Sequence, residues 1–324
     1  IFDIATNTSE TIFETAANIE APNWTPDGRH LIFNTGGELW RIDIAGGEPE
    51  KIDTGHLDNL NNDHLISPDG STLFVSSDDG HLYSVPSVGG KPTRISNTHA
   101  EPHHYYLHGI SPDGLELAYV AVEGPENRRR INIFTIPSAG GADRRLSDIQ
   151  SPNDGPEYSP DGRWIYFNSE RASDIPGHAQ VFRMHRDGSG VQQLTFDERV
   201  NWFPHVSPDG ARMIYLSYPP GTRGHPPDKP VILRLMAARM SMSPPSMAAR
   251  GQSTSTAGRR TASVLPMSPI RIPGNAITTQ CLSGIVPPGQ AARSRTPRPA
   301  HRSPCPAVAQ DNRRWCCAPG DRRP

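Results

Sequence analysis

The amino-acid sequence predicts an all-β fold, a six-bladed β-propeller, and two observations carry that prediction. A turn made of Ser or Thr followed by Pro-Asp-Gly recurs five times, at spacings of 42, 44, 48 and 48 residues. Each turn is followed by short apolar stretches with the alternation expected of β-strands. Sheets that repeat in this way bury both of their faces by stacking around a common axis, which is the propeller arrangement.

The five turns mark where one strand ends and the next begins. They start at Thr25, Ser67, Ser111, Ser159 and Ser207. Proline presets φ at the first central position of a turn, and Asp and Gly tolerate the backbone that reverses the chain. We therefore expect a strand on each side of every turn. We also expect the turn aspartates to bond their own turn backbone and to have no catalytic role.

Each repeat contains four predicted strands. The second strand is a run such as Leu31-Ile32-Phe33, and the third is a run such as Leu39-Trp40-Arg41-Ile42. A glycine turn and a short polar edge strand complete the repeat. Residues 16–236 are therefore predicted to form four complete blades and most of a fifth, whose third strand lies at residues 232–236.

The N-terminal residues predict how the ring closes. Residues 1–5 and 10–14 match the third and fourth strands of a blade, without the two strands that should precede them. In a closed ring the C-terminal residues supply those two strands, so five blades are readable and the sixth is shared between the chain ends. Closure of this kind removes free sheet edges.

The composition changes abruptly near residue 236. Residues 1–236 hold 19 basic and 32 acidic side chains, a formal charge of about −13, and 21 of the 22 aromatic residues. Residues 237–324 hold 13 Arg, no Lys, two Asp and all four cysteines, a formal charge of about +11. We interpret residues 1–236 as the propeller domain. Residues 237–324 are a low-complexity tail rich in Arg, Pro, Ala and Ser.

Three interpretations of this tail stay open: a disordered basic extension that binds nucleic acid, a small metal or disulfide domain, and a frame-shifted translation of the missing blade. The tail lacks Lys and repeats, and its adjacent Cys316 and Cys317 belong to no Cys-x-x-Cys pair. The break falls inside the fifth blade, where more repeat is required. We therefore favour the frame-shifted interpretation, which predicts an incomplete sixth blade.

Composition also limits the partners and the location of the protein. The sequence contains no apolar run of 18 or more residues, so no membrane span is predicted. The acidic balance of residues 1–236 argues against nucleic-acid binding by the propeller. The protein is also expected to be a monomer. No secretory signal is present at the start of the sequence, so the protein is expected to be cytoplasmic if no signal lies upstream.

These motifs resemble the TolB-type, WD-repeat-like β-propeller family of bacteria. The motif that carries the resemblance is Pro-x-Trp-(Ser/Thr)-Pro-Asp-Gly, present as Pro22-Asn23-Trp24-Thr25-Pro26-Asp27-Gly28 and followed by an apolar strand and a Gly-Gly turn. The resemblance covers residues 1–236 and implies a propeller fold and a periplasmic location. The same repeat occurs in Tol–Pal components, peptidase propellers and some polysaccharide lyases, so it does not single out a function.

The segments that precede the turns are the candidate functional site. They lie on or before the innermost strands, and they differ between blades although structural repeat positions should be alike. The candidate ligand-binding residues at the channel mouth are Asn61, Asp63, His64, Tyr106, His108, Asn153, Asp154, Asn201, Trp202 and His205. The alternative is that these side chains bond loop backbone and channel water.

Three histidines of this set are candidate ligands of a divalent metal, the only cofactor that the sequence suggests. His64 and His108 lie three residues before the Ser of their turns, and His205 lies two before. Neutral imidazoles beside a carboxylate bind such ions, and propeller lyases have a similar arrangement. We expect His64, His108, Asp154 and His205 to approach one another at one end of the channel.

Two functions compete at this stage. The sequence favours a non-enzymatic, TolB-like propeller that binds a protein or a small ligand, including a saccharide, at the channel mouth. The alternative is a metal-assisted saccharide lyase or hydrolase that uses the mouth histidines. The sequence has no Gly-x-Ser-x-Gly elbow of an α/β-hydrolase and no evident acid–base constellation, so no catalytic residue is assigned.

Overall fold

The computed structural model describes residues 1–3, 6–226 and 229–237. These residues form short β-strands and one 3-10 turn, Glu126–Arg128, with no α-helix among them. The prediction of an all-β fold is therefore confirmed for this part of the chain. None of its helical segments is long and apolar enough to cross a membrane.

The strands group into five successive blades. The first blade consists of β3 (Glu20–Trp24), β4 (His30–Thr35), β5 (Glu38–Asp43) and β6 (Glu50–Lys51), and the second of β7 (Leu60–Ile66), β8 (Thr72–Ser77), β9 (Leu82–Pro86) and β10 (Thr93–Arg94). The third consists of β11 (His103–Ile110), β12 (Glu116–Glu123), β13 (Arg130–Pro137) and β14 (Arg144–Arg145). The fourth consists of β15 (Asn153–Tyr158), β16 (Trp164–Ser169), β17 (Gln180–His185) and β18 (Gln192–Gln193). The fifth has three described strands, β19 (Val200–Val206), β20 (Arg212–Tyr218) and β21 (Ile232–Ala237).

The first strand of each blade is the innermost. Strands β3, β7, β11, β15 and β19 contact one another in succession, so they line a common channel while the later strands extend outward. This arrangement confirms four complete blades and most of a fifth. The predictions of two C-terminal strands that complete a shared sixth blade, of a disordered or frame-shifted tail and of an incomplete ring concern residues that, apart from Ala237, lie outside the described ones.

The N-terminal strands differ from the prediction in length and position. Strand β1 (Phe2–Asp3) pairs with β2 (Thr8–Ser9), whereas the sequence predicts the second strand at residues 10–14. In that predicted segment, Phe13 packs instead against the first blade, with its ring centroid 6.3 Å from that of Phe33. Only Ile12 and Phe13 are apolar in this segment, and so short a pattern does not distinguish a strand from a packing contact.

Hydrogen bonds inside each turn fix the repeated Pro-Asp-Gly motif. In the third blade, Ser111 Oγ donates to Asp113 Oδ1 at 2.5 Å and accepts from the Glu116 amide at 2.9 Å, while the Leu115 amide donates to Asp113 at 3.0 Å. The corresponding aspartates accept the same pair of bonds: Asp27, Asp69, Asp161 and Asp209. The prediction that the turn aspartates bond their own turn backbone is therefore confirmed.

The hydrophobic core lies between neighbouring blades. In the third blade, Leu117 and Tyr119 pack with Phe74 of the second blade, while Ala118, on the opposite face of the same strand, packs with Phe167 of the fourth. These side chains are almost completely buried. Because alternate residues of one strand serve two interfaces, each blade is held on both faces and the inner strands keep fixed positions around the channel.

Every inner strand is irregular. Its pairing with the second strand shifts between Glu20 and Asn23, Leu60 and His64, Leu107 and Gly109, Asp154 and Glu157, or Trp202 and His205. The residue four positions before the turn's Ser or Thr has a positive φ in three blades: 49° at Ala21, 61° at Gly155 and 50° at Phe203. Such a bulge redirects the adjacent side chains, so those lining the channel do not follow simple alternation.

Candidate functional site

Side chains from three neighbouring inner strands meet at one end of the channel. His108 of β11, Asp154 of β15 and Phe203 of β19 form this group, and the His108 and Phe203 rings stack with centroids 5.7 Å apart. The connection between β20 and β21 reaches the same end, because Tyr218 at the end of β20 pairs with the first residue of β19. It brings the His225 ring to 5.2 Å from Phe203. We call His108, Asp154, Phe203 and His225 the mouth cluster.

The central contact of the mouth cluster joins two blades. Nε2 of His108 lies 3.1 Å from Oδ1 of Asp154. Burial alone would lower the pKa of His108, but the negative charges of Asp63, Asp154 and Glu157 outweigh it and raise the pKa. Burial alone would raise the pKa of Asp154, but its hydrogen bond with His108 and the charge of that ring lower it. Both shifts favour a charged pair.

A second carboxylate–imidazole pair lies at the next blade interface. Glu157 of β15 contacts Nδ1 of His205, and its other carboxylate oxygen accepts the Val206 amide at 3.0 Å. The opposite ring nitrogen of His205, Nε2, is buried without a hydrogen-bond partner in the described part of the chain. Strand β15 therefore presents one carboxylate to each of its two neighbouring blades.

His64 has the same position relative to its turn as His108 but a different environment. It is buried between blades, with Nε2 3.2 Å from the carbonyl oxygen of Ile32 and Nδ1 3.3 Å from that of Asn62. Burial lowers the pKa of His64 to about 4. The ring is therefore neutral near pH 7, with a single N–H to donate, and it binds the blade backbone.

The candidate asparagines are engaged with nearby protein groups. Asn153 is fully buried, and its Oδ1 accepts a hydrogen bond from Arg171 at 2.7 Å. Asn201 is also fully buried, and its Oδ1 accepts from the Ser217 hydroxyl at 2.7 Å. Asn61 Oδ1 accepts the amide of Asp63 at 2.8 Å. Hydrogen bonds of this kind hold the inner strands in place.

The remaining candidates border the mouth cluster. Trp202 is 6% exposed, its ring centroid is 5.0 Å from that of His225, and its Nε1 has no hydrogen-bond partner among the described residues. Asp63 is buried and acts electrostatically on His108. Tyr106 is half-buried, two positions before His108 on β11. Tyr106 and Trp202 therefore lie on strands of the cluster, and Asp63 lies on the neighbouring inner strand β7.

The three candidate metal ligands do not come together. His64 contacts backbone carbonyls, His108 pairs with Asp154, and His205 pairs with Glu157. Within residues 1–3, 6–226 and 229–237, no group of three or more His, Cys, Asp or Glu side chains is arranged to hold a metal ion. The side chains of this part of the chain thus do not fit a resident divalent metal.

Three residues of the site are not among the candidates predicted from the sequence: Glu157, Phe203 and His225. Glu157 and His205 both lie two residues before the Ser of their turns, so their pairing across blades has a positional signal. Phe203 has no such signal, because its place depends on a positive φ. His225 lies in the connection at residues 219–231, which is longer than the other connections between second and third strands, and that length is the available signal.

Comparison with known proteins supplies a family context. Residues 110–225 match the family model described as the TolB beta propeller domain. The chain is 40% identical over 242 residues to the uncharacterized protein Atu1656 of Agrobacterium fabrum, covering 73% of this chain and 78% of that protein. It is similar to the structure of a putative TolB from Agrobacterium tumefaciens, with a TM-score of 0.66, 39% identity and coverage of 73% of this chain and 83% of that one.

A more distant relative is a protein of the Tol-Pal system. The Tol-Pal system protein TolB of Francisella tularensis is 24% identical over 216 residues. The match covers 64% of this chain and 47% of that protein, so the chain spans about half the length of this relative.

Proposed function

This chain belongs to the TolB family of β-propellers, and on that basis we propose that it is a non-enzymatic binding protein whose channel mouth engages a protein or a small ligand. The mouth cluster is the observation that carries the proposal. Side chains from three blades and one long connection converge there on a rigid scaffold. Propellers and similar scaffolds place their binding groups at such convergent ends.

Accessibility supports this role. The side chains of Asp154 and Glu157 are 21% and 23% exposed, and His225 is exposed, although the inner strands around them are largely buried. Phe203 adopts a backbone conformation that is rare for residues other than glycine. Conformations of this kind cost about 1–3 kcal/mol and cluster at ligand sites. Partly exposed charges beside a strained aromatic residue are the groups that a ligand would meet first.

Similarity to a Tol-Pal system protein favours a protein partner over a small ligand, and a periplasmic site of action. Fractionation tests the location: a full-length tagged protein, with any upstream residues that its gene encodes, is expected in the periplasmic fraction of a host such as Agrobacterium. Recovery from the cytoplasm alone would contradict a periplasmic role.

Site-specific photo-crosslinking in living cells tests the binding role. A photo-crosslinking amino acid is placed at position 225, in the mouth cluster, or at position 48, an exposed glutamate at the outer edge of the first blade. Adducts are identified by mass spectrometry, which detects proteins and small molecules alike. We expect specific adducts from position 225 and none from position 48. Absence of adducts at 225, or the same adducts at both positions, would contradict the proposal.

A saccharide lyase or hydrolase is the second candidate, and the two carboxylate–imidazole pairs favour it. His108 with Asp154, and His205 with Glu157, are arrangements in which a carboxylate orients an imidazole for proton transfer. The candidate is tested by incubating the protein with acidic and neutral oligosaccharides and following cleavage products. Turnover that His108→Gln abolishes would establish the enzyme and displace the binding proposal.

A further inference from the structure

One phenyl ring stands in solvent beside the mouth. Phe196 is 76% exposed, whereas every other Phe, Tyr and Trp side chain in the described part of the chain is buried or half-buried. Phe196 lies in the connection between β18 and β19, which leads into Val200, the first residue of β19, at the mouth end of the channel. Single exposed apolar side chains are common on protein surfaces, so the meaning of this one depends on its position in the repeat.

Position 196 departs from the pattern of the other blades. Two residues after the fourth strand, three blades have a hydroxyl group that accepts a backbone amide of the third strand at 2.8 to 3.1 Å: Ser96, Ser147 and Thr195. The next residue is Asn97 in the second blade, Asp148 in the third and Phe196 in the fourth. Asn97 donates to Asp143, and Asp148 accepts from Arg145. Where two blades bond to nearby protein groups, the fourth therefore presents an apolar ring.

The backbone on both sides of Phe196 is held in place. Thr195 is buried, and Oδ1 of Asp197 accepts a hydrogen bond from Nδ2 of Asn201 at 3.1 Å. The carbonyl oxygen of Asp197 lies 3.0 Å from Nε2 of His178. A side chain presented from a fixed backbone loses little conformational freedom on binding, which favours association.

A second exposed apolar side chain lies on the neighbouring connection, between β16 and β17. Ile175 is 63% exposed, and its carbonyl oxygen accepts the amide of His178 at 3.1 Å. Because the ring of His178 also contacts Asp197, this connection and the one that carries Phe196 are joined. We call Phe196 and Ile175 the rim patch.

The rim patch is continuous with the mouth cluster. Gly177, two residues after Ile175, packs so closely against the connection between β20 and β21 that a Cβ on it would lie 3.0 Å from Cα of Arg223. Arg223 is two residues before His225, whose ring contacts Phe203. A surface that reaches His225 would therefore also reach the rim patch.

The charges around the rim patch favour a protein over a membrane. The exposed charged residues of segments 170–179, 194–199 and 219–226 are Asp174, Glu198 and Arg223. Surfaces that bind anionic lipids carry clusters of Lys and Arg. An apolar centre bordered by charges of both signs is instead the composition of a protein–protein interface.

We propose that the mouth engages a protein, and that Phe196 is the anchor of this complex, inserted into an apolar pocket of the partner with Ile175 packed beside it. Aromatic residues are enriched in protein interfaces, and a few anchors of this kind carry most of the binding energy. A small ligand held within the mouth would leave this projecting ring in water. The inference rests on the binding role proposed above and specifies how the partner is held.

Dependence of the mouth contact on Phe196 tests the inference. The photo-crosslinking amino acid is placed at position 225 of the full chain in living cells, at an expression level below that at which adduct yield saturates. We expect Phe196→Ala to lower the yield of protein adducts at least about tenfold, and Ile175→Ala about threefold. Val88→Ala is the matched control and should change the yield less than about twofold. Val88 is 87% exposed and lies between β9 and β10, at the opposite end of the second blade.

Placing the photo-crosslinking amino acid at position 196 identifies the contact directly. We expect it to capture the same protein as position 225, through apolar side chains of that protein, while position 88 does not capture it. Because the Phe196 ring is exposed, Phe196→Ala should unfold at the same temperature as the native sequence. If it does not, Phe196→Asn, with the residue found at the equivalent position of the second blade, takes its place in the comparison.

Several outcomes would overturn the inference. An undiminished yield in Phe196→Ala, or an equal fall in Val88→Ala, rejects the anchor. Adducts from position 225 that contain only small molecules reject the protein pocket and leave the binding role standing. Adducts from position 196 to lipid show a membrane surface instead, and adducts that join two copies of this chain show self-association. Absence of any adduct at position 225 contradicts the binding role itself, so the two failures are distinguishable.

Discussion

Nε2 of His108 and Oδ1 of Asp154 lie 3.1 Å apart across the interface between the third and fourth blades. The two residues are 46 positions apart in the sequence, so this contact exists only when the blades are stacked. It couples the protonation of the mouth to the stability of the propeller.

The first prediction concerns that coupling. The pKa of His108 is raised in the folded protein, so its stabilising contribution is complete below about pH 6.5, the unfolded value, and is lost as the pH rises through the folded pKa. Urea unfolding between pH 6 and 9 should show this loss in the native sequence. His108→Gln should remove it and lower stability at pH 6 by about 1–3 kcal/mol. His104→Gln, on the exposed side of the same strand, is the control and should keep the native profile.

The second prediction concerns His64, whose effect on the pH dependence of stability is opposite to that of His108. Burial lowers the pKa of His64 to about 4, so the unfolded chain takes up a proton at a higher pH than the folded one. Stability should therefore fall as the pH drops from about 6.5 to about 4, and each pKa unit corresponds to about 1.4 kcal/mol. His64→Asn should flatten this part of the unfolding profile even if it lowers stability at every pH. An unchanged slope would show that the pKa of His64 is the same in the folded and unfolded protein.

The third prediction tests how the mouth is built. Gly155→Ala places a Cβ 2.7 Å from Cδ1 of Phe203, at a residue whose φ is 61°. We expect a loss of about 1–3 kcal/mol in unfolding free energy and a displaced Phe203 ring. Gly28→Ala is the matched control, because Gly28 has a φ of 68° but open space around it. It should show the backbone strain alone, so a loss as large as that of Gly155→Ala would disprove the steric contact.

The fourth prediction tests the repeated turn. Ser111→Ala removes one hydroxyl that donates to Asp113 and accepts from the Glu116 amide in a buried position. The unfolding free energy should fall by about 1–3 kcal/mol. Ser87→Ala, at a serine whose hydroxyl bonds to nothing in the described part of the chain, should change it by less than about 0.5 kcal/mol. Equal effects would mean that the turn depends on proline and glycine alone.

Local chemistry explains why the blades were predictable. The turn that starts at Ser111 is made by atoms within six residues, and strand alternation is read over equally short distances. The same reasoning misplaced the second N-terminal strand, because a two-residue strand such as β2 carries almost no pattern. Residues 238–324 lie outside the described residues, and the predictions made for them stand as predictions.

By itself the sequence determined the propeller: five blades, their strand order and the hydrogen bonds of the turn aspartates to their own turns. Only the tertiary structure decided the site, because its chemistry depends on what lies across each blade interface. His64 and His108 hold the same position before their turns, yet one meets backbone carbonyls and has a pKa lowered by burial, while the other meets carboxylates that raise its pKa. A repeat specifies each blade from within, whereas the electrostatic environment of a channel residue comes from its neighbours.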